Sequence, residues 1–162
     1  MRILGVDPGL GATGYGIIDV LGKPIQQIKL LEAGTIEPQP REQLSEKLNK
    51  IYSNLHDILE QFKPEVMILE KLYAHYKHPT TACIMGHARG VIVLLCAQKK
   101  IAVVEESVKR IRKALVGNGN ANKQQTREVV AHILKIDPQK LPLDASDALA
   151  LALGYAHVVR YG

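Results

Sequence analysis

The chain has 162 residues, 46% of them apolar, and a formal net charge of +5. This length suits one domain spanning residues 1–162, and so apolar a composition excludes a disordered chain, which lacks surface to bury. The excess of Lys and Arg suits a polyanionic partner, because these side chains replace the counterions around phosphates.

The first element is an apolar strand, Arg2–Asp7, that ends on a carboxylate. Pro8-Gly9 and Gly11 force a turn, Gly14–Val20 resumes as a strand, and Gly22-Lys23-Pro24 turns the chain again. Ile25–Ile36 is a third extended run, with a break expected near Gly34. Three such runs joined by short turns predict an antiparallel meander. The period then changes. Leu44, Leu48, Ile51, Tyr52, Leu55, Ile58, Leu59 and Phe62 recur at helical spacing, which predicts a helix over Arg41–Phe62, stopped by Pro64. Glu65–Glu70 is a continuous apolar strand, again closed by a carboxylate, and belongs in the middle of a sheet. A largely apolar helix over Pro79–Lys99 precedes a strand at Ile101–Val104. Ser107 caps a helix through Leu115, Asn122 starts one to about Leu134, and Asp144–Val159 is the last. The sum is an α/β fold: a mixed five-stranded sheet, antiparallel at one side and parallel at the other, flanked by helices.

Cys83 and Cys96 are the only cysteines and lie in the apolar helix, where buried free thiols are expected. Met1 and Arg2 lead directly into the first strand, leaving no room for a signal peptide. The longest apolar run, Val91–Ala97, is too short for a bilayer. The expectation is a cytoplasmic protein with no membrane partner.

Four carboxylates carry the chemistry. Asp7 and Glu70 close two strands, and functional groups of alternating α/β sheets gather at such ends. Asp144 and Asp147 stand three apart at the start of the last helix and share one face. Converging on one cluster, the four would raise each other's pKa and call for a hard cation such as Mg²⁺. A pair of such ions can clamp an in-line phosphoryl displacement. Each residue also has a plain structural reading. Asp7 before Pro8-Gly9 suits an ordinary turn, and Asp144 and Asp147 suit an N-cap and first turn. Glu70 has none so simple, since a carboxylate closing four apolar strand residues risks burial.

Several short motifs, taken in order, resemble those of RuvC-type Holliday-junction resolvases. They are Ile3-Leu4-Gly5-Val6-Asp7-Pro8-Gly9 with Thr13-Gly14-Tyr15-Gly16, then Ile68-Leu69-Glu70, then Gly86-His87-Ala88-Arg89-Gly90. Val116-Gly117 followed by Lys123, and Asp144-Ala145-Ser146-Asp147-Ala148-Leu149-Ala150, complete the set, which covers nearly the whole chain. The resemblance implies an RNase H-like fold and a homodimer that nicks opposed strands of a four-way DNA junction symmetrically. It implies two Mg²⁺ ions, replaceable by Mn²⁺, held by Asp7, Glu70, Asp144 and Asp147, and RuvA and RuvB as partners. The products would carry 5′-phosphate and 3′-hydroxyl ends. It also implies DNA contacts at Tyr73, where the family often carries Phe, and at Arg89, Lys109, Arg112 and Lys123. On charge alone, Lys109-Arg110-Ile111-Arg112-Lys113 equally suits a solvated helix face. Tyr73 and Tyr76 could stack on unpaired bases or pack on the sheet.

Three other readings compete. An actin-like phosphotransferase also uses a turn after its first strand, but needs two such halves. Another RNase H-like nuclease would share the carboxylates and act on RNA. A non-catalytic junction-binding protein would be signalled by loss of one carboxylate, and all four are present.

Overall fold

The computed structural model describes residues 1–22, 27–72 and 79–161. Strands β1 (Arg2–Asp7), β2 (Thr13–Leu21) and β3 (Gln27–Ile36) form an antiparallel meander. β4 (Val66–Glu70) lies parallel to β1 on its other side, and β5 (Ala102–Glu106) lies parallel to β4. The sheet order is β3-β2-β1-β4-β5. Parallel neighbours need crossovers. Helix α1 (Leu44–Phe62) leads from β3 into β4, and α2 (Pro79–Gln98) leads from β4 to β5. Helices α3 (Val108–Val116) and α4 (Lys123–Leu134), a 3-10 turn (Pro138–Lys140) and α5 (Leu143–Tyr161) follow.

Strand alternation divides the core into two layers. Ile3, Ile18, Val20, Val66 and Ile68 face one way and meet Ile111 of α3, Val130 of α4 and the Ala145–Ala156 stretch of α5. Leu4, Val6, Ile17, Met67 and Leu69 face the other way and meet α1 and α2. Period-2 alternation therefore sends Asp7 and Glu70, two residues beyond Gly5 and Ile68, toward the α5 side.

The carboxylates of α5 reach that place because the helix lies almost on the backbone of the sheet. A Cβ at Gly5 would stand 1.8 Å from the carbonyl oxygen of Ala148, and one at Gly14 would stand 2.1 Å from that of Asp144. Any side chain at either position would lift α5 off.

Boundaries differ from the expectations in ways that local chemistry explains. The first helix begins at Leu44 rather than Arg41, where the Glu46 carboxylate accepts a hydrogen bond from the Gln43 N–H at 2.7 Å. It ends on Lys63 in the left-handed region (φ 48°), ahead of Pro64. The break expected near Gly34 does not occur. β3 runs through it, because the Tyr15 ring covers this position and a Cβ there would meet the Tyr15 hydroxyl at 2.8 Å. Cys96 is buried as expected, but Cys83 is exposed, on a part of α2 turned away from the sheet. Over Thr80–Gln98, α2 is long and apolar enough to cross a membrane by length and composition. Ala88, Ile92, Leu95 and Cys96 on one side of it are nevertheless wholly buried against the sheet.

Candidate active site

β1 and β4 are adjacent and parallel, so their last residues come out side by side. Asp7 and Glu70 share a hydrogen bond, and the loop leaving Asp7 is tied down by Thr13. The buried Thr13 hydroxyl donates to the Gly9 carbonyl at 2.7 Å and accepts from the Gly9 N–H at 3.2 Å. From α5, Asp147 points into the same space and is 2% exposed. A carboxylate so buried needs counter-charge. The Arg112 guanidinium donates to one of its oxygens at 2.9 Å, and the Lys123 ammonium lies 3.2 Å from the other. Lys123 also donates to Asp144 at 2.6 Å, so it bridges the two aspartates. Lys123 starts α4 after the Asn122 cap, whose side chain accepts from the Gln125 N–H at 2.8 Å.

The result is a cleft of about 320 Å³ lined by Asp7, Glu70, Asp147, Arg112, Lys123, Lys109, Ser107 and Val108. Burial pushes the Asp7 carboxyl up to about 9; the hydrogen bond and charge of Glu70 and the charge of Asp147 act the same way, and Lys123 opposes them. Burial pulls the Lys123 ammonium down, yet its bond to Asp144 and the charge of Asp147 hold it above the usual lysine range.

Of the four expected carboxylates, three line one cleft and Asp144 stands beside it through Lys123. They do not close into a ready-made ligand set. Among the described residues no three His, Cys, Asp or Glu side chains group as a metal site. Like charge keeps carboxylates apart, and here a shared hydrogen bond and two basic side chains balance them instead. The donor set still fits a hard divalent cation. All its candidate ligands are carboxylate oxygens, the donor type a hard divalent cation takes.

Arg112, Lys123 and Lys109 all line the cleft. Arg89, expected at DNA, is turned inward from α2. It donates to the Glu70 carbonyl and to the Glu105 carboxylate, and its side chain is only 11% exposed. Tyr73 and Tyr76 lie outside the described residues. Ser107 at the rim was legible only as a helix cap, a role it also fills by accepting from the Arg110 N–H at 3.4 Å. No sequence signal distinguishes a cap that also faces a cleft.

A mixed sheet of this order, with helices on both faces and carboxylates at the ends of its first and fourth strands, defines an RNase H-like protein. The family model for crossover junction endodeoxyribonuclease RuvC matches residues 3–155. A RuvC of Pseudothermotoga lettingae is 36% identical over 152 residues, covering 94% of this chain and 91% of the relative. One of Polynucleobacter asymbioticus is 37% identical over 159 residues, covering 97% and 89%. The solved structure of Thermus thermophilus RuvC superposes with a TM-score of 0.87 at 28% identity, covering all of this chain and 97% of that one. The same protein solved in complex with a Holliday junction substrate gives 0.87 at 25% identity, with the same coverage. The chain belongs to the crossover junction endodeoxyribonuclease RuvC family, and with it to the divalent-metal-dependent nucleases.

Proposed function

We propose that this protein resolves four-way DNA junctions by paired, symmetric hydrolytic nicks, with Asp7, Glu70, Asp144 and Asp147 holding two Mg²⁺ ions, replaceable by Mn²⁺. The observation that carries the reading is the cleft itself. It gathers Asp7, Glu70 and Asp147 from three elements distant in sequence and rims them with Arg112 and Lys123. Held by these carboxylates, divalent cations would supply the Lewis acidity that favours attack by water and departure of the 3′ oxygen. In each nick a water oxygen bonds to phosphorus, the P–O3′ bond breaks, and a proton passes from the water side to the 3′ oxygen by way of solvent. The ends are a 5′-phosphate and a 3′-hydroxyl. Arg112 and Lys123 steer the anionic backbone toward the cleft and neutralise it there. On cation binding Asp7 would give up to solvent the proton that burial, aided by its hydrogen bond to Glu70, retains.

Paired nicks need two sites, and α2 offers the surface for a second copy. Val93 and Leu94 are exposed large apolar residues, and nothing stands within 4 Å of a Cβ built at Gly86 or Gly90 on the same side of the helix, which leaves room for close approach. The RuvA and RuvB proteins and the cytoplasm complete the setting proposed for such an enzyme.

The test is cleavage of a labelled synthetic four-way junction with Mg²⁺, beside a linear duplex and an RNA–DNA hybrid, with Asp7→Asn as control. Paired, ligatable nicks in the junction alone, lost in the variant, support the reading. Cleavage of the hybrid instead would move the substrate to RNA. Binding without cleavage, with Mn²⁺ as well as Mg²⁺, would sink the catalytic claim.

A further inference from the structure

Beside the acidic cleft lies a second cavity of different character. It measures about 540 Å³ and is lined by Ser107, Lys109, Arg110 and Lys113 of the α3 region and by residues 117–120. Ser107 and Lys109 line both cavities, so the two adjoin. No carboxylate lines this one. Arg110 has Glu106 at 3.7 Å, whereas Lys109 and Lys113 have no acidic partner among the described residues. Three cations facing one recess repel one another unless an anion joins them.

The loop that closes the recess is seated on the helix. Gly117 ends α3 at φ 78°, and a Cβ at Gly119 would stand 3.0 Å from the Lys109 carbonyl oxygen and 3.5 Å from the Lys113 Cβ. Asn118 accepts from the Asn120 N–H at 2.9 Å through its side-chain oxygen, which leaves its amide N–H groups to donate elsewhere. Ammonium, guanidinium and amide donors around a recess of this size suit phosphodiester oxygens.

We infer that this recess is a phosphate-backbone subsite, gripping the strand that runs on from the scissile phosphate along α3. The inference rests on the nucleic-acid reading above and adds a second, sequence-independent hold outside the catalytic cleft. A strand held at two points is placed in register before the bond is broken.

Junction binding measured in the Asp7→Asn background, where the DNA stays intact, tests it. Lys113→Gln, at an exposed position, should weaken binding roughly 3- to 10-fold and lower the slope of log affinity against log salt by about 1. Lys50→Gln on α1, across the sheet, makes the same charge change and should do neither. Single neutral methylphosphonates placed along the strand beside the cut should show one position that weakens Asp7→Asn but adds nothing in Asp7→Asn/Lys113→Gln. Equal affinity and slope for Lys113→Gln and its parent would overturn the subsite and leave the resolvase reading standing. No junction binding by the Asp7→Asn parent would bring down both.

Discussion

At the scale of single residues the site is a problem of charge, and Asp7 sets its terms. Its carboxyl is held from about 4 up to about 9 by burial and by Glu70 and Asp147, so the folded chain binds a proton that the unfolded chain releases. That contribution to stability is complete below about pH 4 and is lost as pH rises through about 9. Without divalent cation, the urea midpoint should therefore fall between pH 5 and pH 9, and Asp7→Asn should flatten the fall. An equal decline in the variant would remove Asp7 as its source. Added Mg²⁺ should raise the melting temperature more at pH 8 than at pH 5, since it competes with that proton. For cleavage, Asp7→Asn withdraws several kcal/mol of transition-state stabilisation, roughly a thousandfold in rate. Asp7 and Glu70 were legible in the sequence because strand alternation and position fix where a strand-end carboxylate points. The partners of Asp147 were not. Arg112 and Lys123 lie 35 and 21 to 24 residues from the aspartates they pair with, and only the packing of α3 and α4 on α5 brings them there.

At the scale of elements, two contacts decide where the carboxylates stand. The first is α5 against the glycines of β1 and β2. Gly5→Ala would drive a methyl into the Ala148 carbonyl and should cost about 1–3 kcal/mol or more in chemical unfolding, with cleavage falling as Asp144 and Asp147 are displaced. Wild-type stability in that variant would show that α5 adjusts freely. The second is Arg89, which reaches from α2 to the Glu70 carbonyl and Glu105 and so ties the end of β4 to β5. A helix pattern tells that an arginine is present but not which side of the helix meets the sheet, so this clamp was invisible beforehand. Arg89→Ala leaves a carbonyl without its charged donor and should lower stability by about 1–3 kcal/mol. As a positioning residue for Glu70 it should also lower kcat and raise the Mg²⁺ concentration needed for half-maximal rate, with junction affinity unchanged. Glu105→Gln should reproduce a smaller part of both effects. Loss of junction affinity with kcat intact would show instead that Arg89 works at the DNA. The mixed sheet, antiparallel at one side and parallel at the other, was legible because the change from period 2 to helical period is strong in this chain. The continuity of β3 through Gly34 was not, since it depends on Tyr15 lying over the glycine from the neighbouring strand.

At the scale of the whole molecule, resolving a junction needs two cuts placed symmetrically, and the carboxylates of one chain gather at a single cleft among the described residues. The α2 helix bears on this because its two sides are so unlike. One is packed away at Ala88, Ile92, Leu95 and Cys96; the other leaves Leu94 56% exposed and Val93 41% exposed. Leu94 is more than half exposed, so Leu94→Glu should fold with nearly wild-type stability. If this face joins two copies, the isologous contact sets two like charges against each other across the two-fold axis, and sedimentation should show a monomer where the parent is a dimer. The chemistry itself stays with each chain, so the monomer should still nick junction strands with Mg²⁺, but singly. Ligatable paired products should then fall much more than total nicks, because the second cut must wait for an independent encounter at protein concentrations far below the effective concentration that a dimer provides. A dimeric Leu94→Glu protein would place the two-fold contact elsewhere, and a monomer that still makes paired nicks would separate symmetric cleavage from dimerisation altogether.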